Sequence, residues 1–295
     1  DFTDKVPMTV WGPVMYDGNY DNPSHNGKAY AVRWTAHDAS QDVLTFININ
    51  KSKSYNDFEH AISTFGSPAQ NFLYASKRNT IAIWQTGKLP AKWKGQGDFV
   101  MPGDDTTYAW KDYVPFADQL HEVNPVRGYL SSANQLPADT SYAYYLGGSY
   151  DVFRAIIINR MLSKLDSAVT VEQMQAMQVN NYDVFAEMAL PILLKNTDPS
   201  GLASNARKLY DISKAWDYDA GADENAKTIF DTWWQNLKDT VWRDDIVANG
   251  NYRVPMPADQ VLLEGLLRDS IYRFVDNKKT PTVETLKDMV TAALY

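Results

Sequence analysis

The period of the apolar residues changes near residue 150, and that change limits the folds open to this chain more than any other feature. Upstream, apolar side chains fall in short runs cut by Gly, Pro, Asn and Ser. The runs at 29–34, 43–47, 71–75 and 81–84 have strand length, and they predict buried sheet strands. One helix interrupts them, because Phe58, Ile62 and Phe65 recur at helical spacing after Ser54, a residue suited to an N-cap. Residues 88–118, rich in Gly, Pro and Trp, lack a period and read as a long ordered loop with Pro90, Pro102 and Pro115 at turns. Downstream the spacing is helical. Phe153, Ile156, Ile157 and Met161 share one face, and Val171, Met174, Met177 and Val179 follow Thr170 on another. Further helices are expected at 202–216, 224–242, 258–275 and 283–294, with 276–281 as a break. The division is therefore 1–150, strand-rich, and 151–295, mainly helical. These are lobes of one body, since a strand-rich half this short would leave one sheet face bare unless helices covered it.

A chain of 295 residues, 44% hydrophobic and 13% aromatic, can bury a sizeable core and is not disordered. A net charge of −8 without a local Lys/Arg cluster makes nucleic acid and anionic membrane poor partners. Small neutral or organic substrates fit better. There is no cysteine, which excludes disulfides, thiolate metal sites and a Cys nucleophile. No apolar run is long enough to span a bilayer, and the first residues lack the basic start and apolar stretch of a signal peptide, so the chain is expected to be soluble with any leader already removed.

The chemistry-bearing region runs from Gly128 through Tyr129-Leu130-Ser131-Ser132-Ala133-Asn134-Gln135-Leu136-Pro137, then Leu146-Gly147-Gly148, to Arg154. A carboxamide on a turn after a strand can present its N–H to a developing oxyanion, and a guanidinium can fix a carboxylate or carbonyl nearby. Both residues have ordinary alternatives. Asn134 can close an Asx-turn before Pro137, and Arg154 can form a helix-surface ion pair with Asp151 or another acid.

The wider pattern resembles the penicillin acylase (penicillin amidase) family of N-terminal-nucleophile hydrolases. Trp11-Gly12-Pro13-Val14 is similar to its His-Gly-Pro-Val strand with Trp in place of His, and Arg33-Trp34-Thr35-Ala36-His37-Asp38 to its Arg-Trp-Thr-Ala-His-Asp strand end. Pro68-Ala69-Gln70-Asn71-Phe72, then Gly87-Lys88-Leu89-Pro90, is similar to the acyl-pocket segment and the turn after it, with Lys92 or Trp93 where Arg is common. Trp216-Asp217 matches a later Trp-Asp segment. The ordered set carries the resemblance, over most of residues 11–275.

The resemblance implies an α+β fold, part of an αββα sandwich followed by a largely helical region. It implies an amidohydrolase of penicillin or acyl-homoserine-lactone acylase type, periplasmic or secreted, acting on a small acylated amide. Asn134 would donate to the oxyanion, Arg154 would orient substrate or the nucleophile's amine, and Gln70 with Asn71 would border the acyl pocket. Such enzymes attack with a Ser, Thr or Cys at the start of the β-subunit, whereas residue 1 here is Asp. This chain is thus expected to be an internal piece of a β-subunit, inactive alone, lacking the α-subunit and the N-terminal part of the β-subunit. No cofactor is required. A structural Ca2+ occurs in the family, but Tyr142-Ala143-Tyr144-Tyr145 stands where it supplies an Asp, which is missing or displaced to Asp139, so no metal ligand is assigned.

Other signals are weaker. His25, His37, His60 and His121 lack zinc spacing, and His37-Asp38 on a strand would point to opposite faces. Gly147-Gly148-Ser149-Tyr150-Asp151 misses the last Gly of a nucleophile elbow, and Met174, Met177 and Met188 are expected in the core. The competing function is an exported, aromatic-rich glycan- or ligand-binding module. That reading requires exposed aromatics in a row near Trp84, Trp93 and Trp110, whereas hydrolysis requires Asn134 and Arg154 to converge.

Overall fold

A computed structural model of the chain describes residues 3, 5–16, 27–148, 150–165, 168–246, 256–268 and 272–295. His25 and Ser149 lie outside the described residues. Two compact units divide the chain, Asp1–Ala155 and Ile156–Tyr295.

The first unit holds two three-stranded antiparallel sheets among the described residues. One is β1 (Met8–Thr9), β2 (Gly12–Tyr16) and β3 (Tyr30–Ala31), paired in that order. The other is β4 (Gln70–Ser76), β5 (Thr80–Thr86) and β6 (His121–Val123). The hairpin of β4 and β5 turns at Asn79, which adopts φ 58°, the left-handed conformation such a turn requires. The runs expected at 71–75 and 81–84 are these two strands. The run expected at 29–34 shrinks to the two residues of β3.

Residues 43–47 are a correction. They are not a strand but lie in helix α1 (Asp42–Lys51). The Asp42 carboxylate accepts from Gly66 N at 2.6 Å and Ser67 N at 3.3 Å, and Thr45, fully buried, bonds Thr64 at 2.8 Å. Those ties fix the helix although Val43, Leu44, Phe46 and Ile47 remain exposed, so the apolar run marks a helix surface rather than a sheet interior. Helix α2 (Tyr55–Ile62) follows the expectation, with the Ser54 hydroxyl accepting from Asp57 N. Its Phe58 and Ile62 meet Trp84 of β5 in a core joined by Phe72, Tyr74 and Phe116. Trp84 is stacked between Phe116 at 4.5 Å and His121 at 3.9 Å, and its Nε1 donates to Tyr55. Burying each such side chain contributes roughly 2–3 kcal/mol. His37 and Asp38 do not continue a strand either. His37 ends a single 3-10 turn, Thr35–His37, edge-on to Trp34 at 5.7 Å.

Helix α3 (Phe153–Leu162) starts at the end of the first unit, and the second unit continues with α4 (Val171–Gln178), α5 (Val184–Lys195), α6 (Ser204–Ala215), α7 (Asn225–Ile246), α8 (Asp259–Arg268) and α9 (Leu286–Ala293). Helix α7 is the axis of this unit and packs on α6 and α9. Phe230, Trp233, Trp234, Leu237, Val241 and Trp242 recur every three or four residues along it and are all buried. Trp233 Nε1 donates to Val290 O at 2.9 Å and Asn236 Nδ2 to Ala293 O at 3.0 Å, fastening α9. Sequence patterning did not reveal α5, which tolerates Pro191 in its interior. Helix α8 is described to Arg268, and residues 272–275 are not helical, so it falls short of the expected 275. The methionines are a second correction. Met174 is 39% exposed and Met177 half-buried, because α4 presents almost its whole surface outward, and Met188 on α5 is half-buried.

Candidate functional site

The residues 128–137 form a loop shaped by its own side chains. Gly128 has φ 76° and Asn134 has φ 61°, so the chain turns left-handed at the start of the segment and again at Asn134. Gln135, just after Asn134, brackets the backbone between them: its Oε1 accepts from Ala133 N at 2.8 Å and its Nε2 donates to Ser131 O at 2.9 Å. Ala133 is buried, whereas Ser132 and Asn134 on either side of it are exposed. A small apolar residue thus anchors the loop while its polar neighbours face outward.

Arg154, at the second position of α3, donates through its guanidinium to Asn134 Oδ1. Asp151 is engaged elsewhere, accepting from Phe153 N at 3.2 Å. The two groups required to converge do so. The cation withdraws electron density through the carboxamide oxygen, which strengthens the NH2 end of the same side chain as a donor. Since Oδ1 is committed to Arg154, the NH2 end is the part of Asn134 available to an anionic oxygen.

The turn before Arg154 is held from residues 92–98. Gly147 adopts φ 67°, and a Cβ there would come within 3.2 Å of Asp98 Oδ1 and 3.3 Å of Lys92 Nζ. Lys92 Nζ reaches Leu146 O at 3.5 Å, and the Tyr145 hydroxyl donates to Asp98.

Gln70 and Asn71 lie on consecutive residues of β4 and so point to opposite faces. Gln70, exposed, shares its face with Phe72, which packs at 5.0 Å on Phe65 and 6.2 Å on Phe46. Phe46 is 50% exposed, Phe72 half-buried and Phe65 buried, so Phe46 is the solvent-facing ring of an aromatic cluster at the start of β4. The misread helix α1 concealed it in the sequence. Asn71, on the other face, donates from Nδ2 to Ser132 Oγ at 2.6 Å.

A cluster that sequence reasoning saw only as a motif surrounds Asp38. Its carboxylate accepts from Arg33 at 3.0 Å, Lys88 at 3.1 Å and the Tyr113 hydroxyl at 3.4 Å. Hydrogen bonds from Arg33 and then Lys88 hold its pKa at about 2. Arg33 lies over Trp110 and Lys88 over Tyr113, so the cations are spent on structure. Asp139 accepts from Ser141 N at 2.8 Å and Ser141 Oγ at 2.5 Å. Among the described residues, no three His, Asp or Glu side chains gather.

The row of open aromatics required by a glycan-binding surface does not form. Trp84 is 3% exposed inside its stack and Trp110 lies under Arg33, so of the three Trp93, 45% exposed beside Tyr108, is the open one.

Comparison with known proteins gives one consistent result. The penicillin amidase family model matches residues 1–295, the whole chain. Acyl-homoserine lactone acylase QuiP of Pseudomonas aeruginosa is 25% identical over 233 residues, 70% of this chain and 27% of its own length. Its counterpart in Pseudomonas fluorescens is 24% identical over 126 residues, 42% of this chain and 15% of that protein. A thermostable penicillin G acylase from Alcaligenes faecalis shares the fold at a TM-score of 0.68 and 22% identity, over 97% of this chain and 55% of that one. The chain therefore spans well under two thirds of the length of these relatives.

Proposed function

This chain belongs to the penicillin amidase family, and from that premise we propose that it is part of an amide hydrolase in which Asn134 stabilises the oxyanion of acyl transfer. The bond from Arg154 to the Asn134 carboxamide is the observation that carries this reading. As an acyl carbonyl is attacked, its oxygen gains charge and the Asn134 N–H meets it, while Arg154 holds the carboxamide with its donor end outward. The attacking group would be an N-terminal nucleophile supplied by a segment outside these residues, since the relatives are far longer than this chain. On that reading these 295 residues alone are inactive, and the α-subunit and the N-terminal part of the β-subunit are the partners that complete the site. The strand-rich 1–150 would contribute to the hydrolase core and 151–295 the helical remainder of the same subunit.

The acyl group would rest on Phe46, which Phe72 and the buried Phe65 back, with Gln70 at the rim. An apolar patch with a polar rim suits the acyl part of an acylated amide such as a penicillin or an acyl-homoserine lactone, cleaved in the periplasm or outside the cell. The chemistry would need no cofactor. Calcium at the loop after Asn134 is not proposed, because Asp139 is turned onto Ser141.

Asn134→Ala in the complete enzyme tests the reading. Turnover of an acylated amide should fall about 100-fold, the usual loss for one oxyanion donor, and unchanged turnover would remove the role. Phe46→Ala should raise KM for long or aromatic acyl chains while leaving an acetyl substrate little affected. Equal effects on both would exclude the patch as the acyl site.

A further inference from the structure

The Asn134 loop is connected to the sheet by a side chain 61 residues away in sequence from its partner: Asn71 Nδ2 donates to Ser132 Oγ at 2.6 Å. Asn71 is fixed at the backbone, paired with Gln85 inside a seven-residue register between β4 and β5. Ser132 is two residues before Asn134, and the Gln135 bridge makes that short interval stiff by bonding both Ser131 O and Ala133 N. Any shift of Ser132 is therefore passed to Asn134. Gln135 braces the loop internally, whereas Asn71 attaches it to a strand.

We propose that Asn71, acting through Ser132, is a positioning residue that sets where the Asn134 donor stands relative to the reacting carbonyl. This differs from lining an acyl pocket, because the Asn71 side chain leaves β4 on the face opposite Phe72. The inference rests on the reading of Asn134 as the oxyanion donor. Small misplacements of a donor weaken transition-state binding steeply while substrate contacts made elsewhere persist. The effect belongs in kcat rather than KM.

Asn71→Ala and Ser132→Ala, each made in the complete enzyme, should lower kcat about tenfold with KM nearly unchanged. The double variant should be no worse than either single one, and Ser132→Thr, which keeps the accepting hydroxyl, should retain kcat. In an Asn134→Ala background, Asn71→Ala should cost nothing more. Ser132 is exposed, so its variants keep the test open should Asn71→Ala fail to fold. An equal loss from Asn71→Ala in the Asn134→Ala background would overturn the proposal. If Asn134→Ala lowers kcat but Asn71→Ala and Ser132→Ala do not, the positioning role falls and the oxyanion reading stands. If Asn134→Ala itself has no effect, both fall.

Discussion

Asp38 joins three chain segments through Arg33, Lys88 and Tyr113, and its carboxyl, held at about 2 against an ordinary 3.8, makes that junction sensitive to acid. A carboxylate depressed by folding stabilises the protein fully above the unfolded value. The contribution is lost as pH falls from about 4 towards 2. Asp38→Asn should therefore lower the thermal midpoint at neutral pH, and the gap from the parent protein should close over that acid range; a gap constant from pH 7 to pH 2 would show that the carboxylate charge is not what matters. Gly12 is constrained differently. It has φ 119°, and a Cβ there would lie 2.3 Å from Val32 O, so Gly12→Ala should cost about 2 kcal/mol or more, read from denaturant unfolding. Both residues stood out in the sequence only as members of short motifs. Their physical reasons, an ion-pair junction and a close backbone approach, depend on segments that are distant along the chain.

At the level of elements, local signals were readable where they were self-contained. Ser54 before a helical spacing became the cap of α2, and Thr170 became the capping box of α4 with Gln173. Ser54→Ala should cost about 1 kcal/mol of stability by chemical denaturation; a change near zero would show that tertiary contacts alone hold the helix start. Residues 43–47 failed because a short apolar run cannot tell strand from helix by itself, and what decides it here is Asp42 bonding Gly66 and Ser67. Helix α5 was missed because Pro191 reads as a breaker, although the Asp183 cap and the five buried residues Val184, Ala186, Ala189, Leu190 and Leu193 sustain it. The site divides the same way. Asn134 and Arg154, 20 residues apart, were singled out by the ordered set of family-like motifs, since the Gly and Pro around them also fit an ordinary turn, whereas the Asn71–Ser132 link and the Phe46 cluster require the folded chain.

Across the whole molecule, apolar side chains remain on the surface in groups: Val43, Leu44, Phe46 and Ile47 on α1, and Val171 and Met174 on α4. Contiguous exposed apolar surface favours association. The 295-residue chain produced alone should self-associate with rising concentration in sedimentation experiments, and Val43→Lys with Ile47→Lys should reduce it; a concentration-independent monomer would contradict this. The distribution of indoles has a practical consequence. Four of the nine tryptophans, Trp216, Trp233, Trp234 and Trp242, are buried in the second unit, whereas Trp34 and Trp93 of the first are about half exposed. Intrinsic fluorescence of this protein will be weighted towards short-wavelength emission from the helical unit around α7, and a melt followed only by that signal will report the helices rather than the loop that carries Asn134.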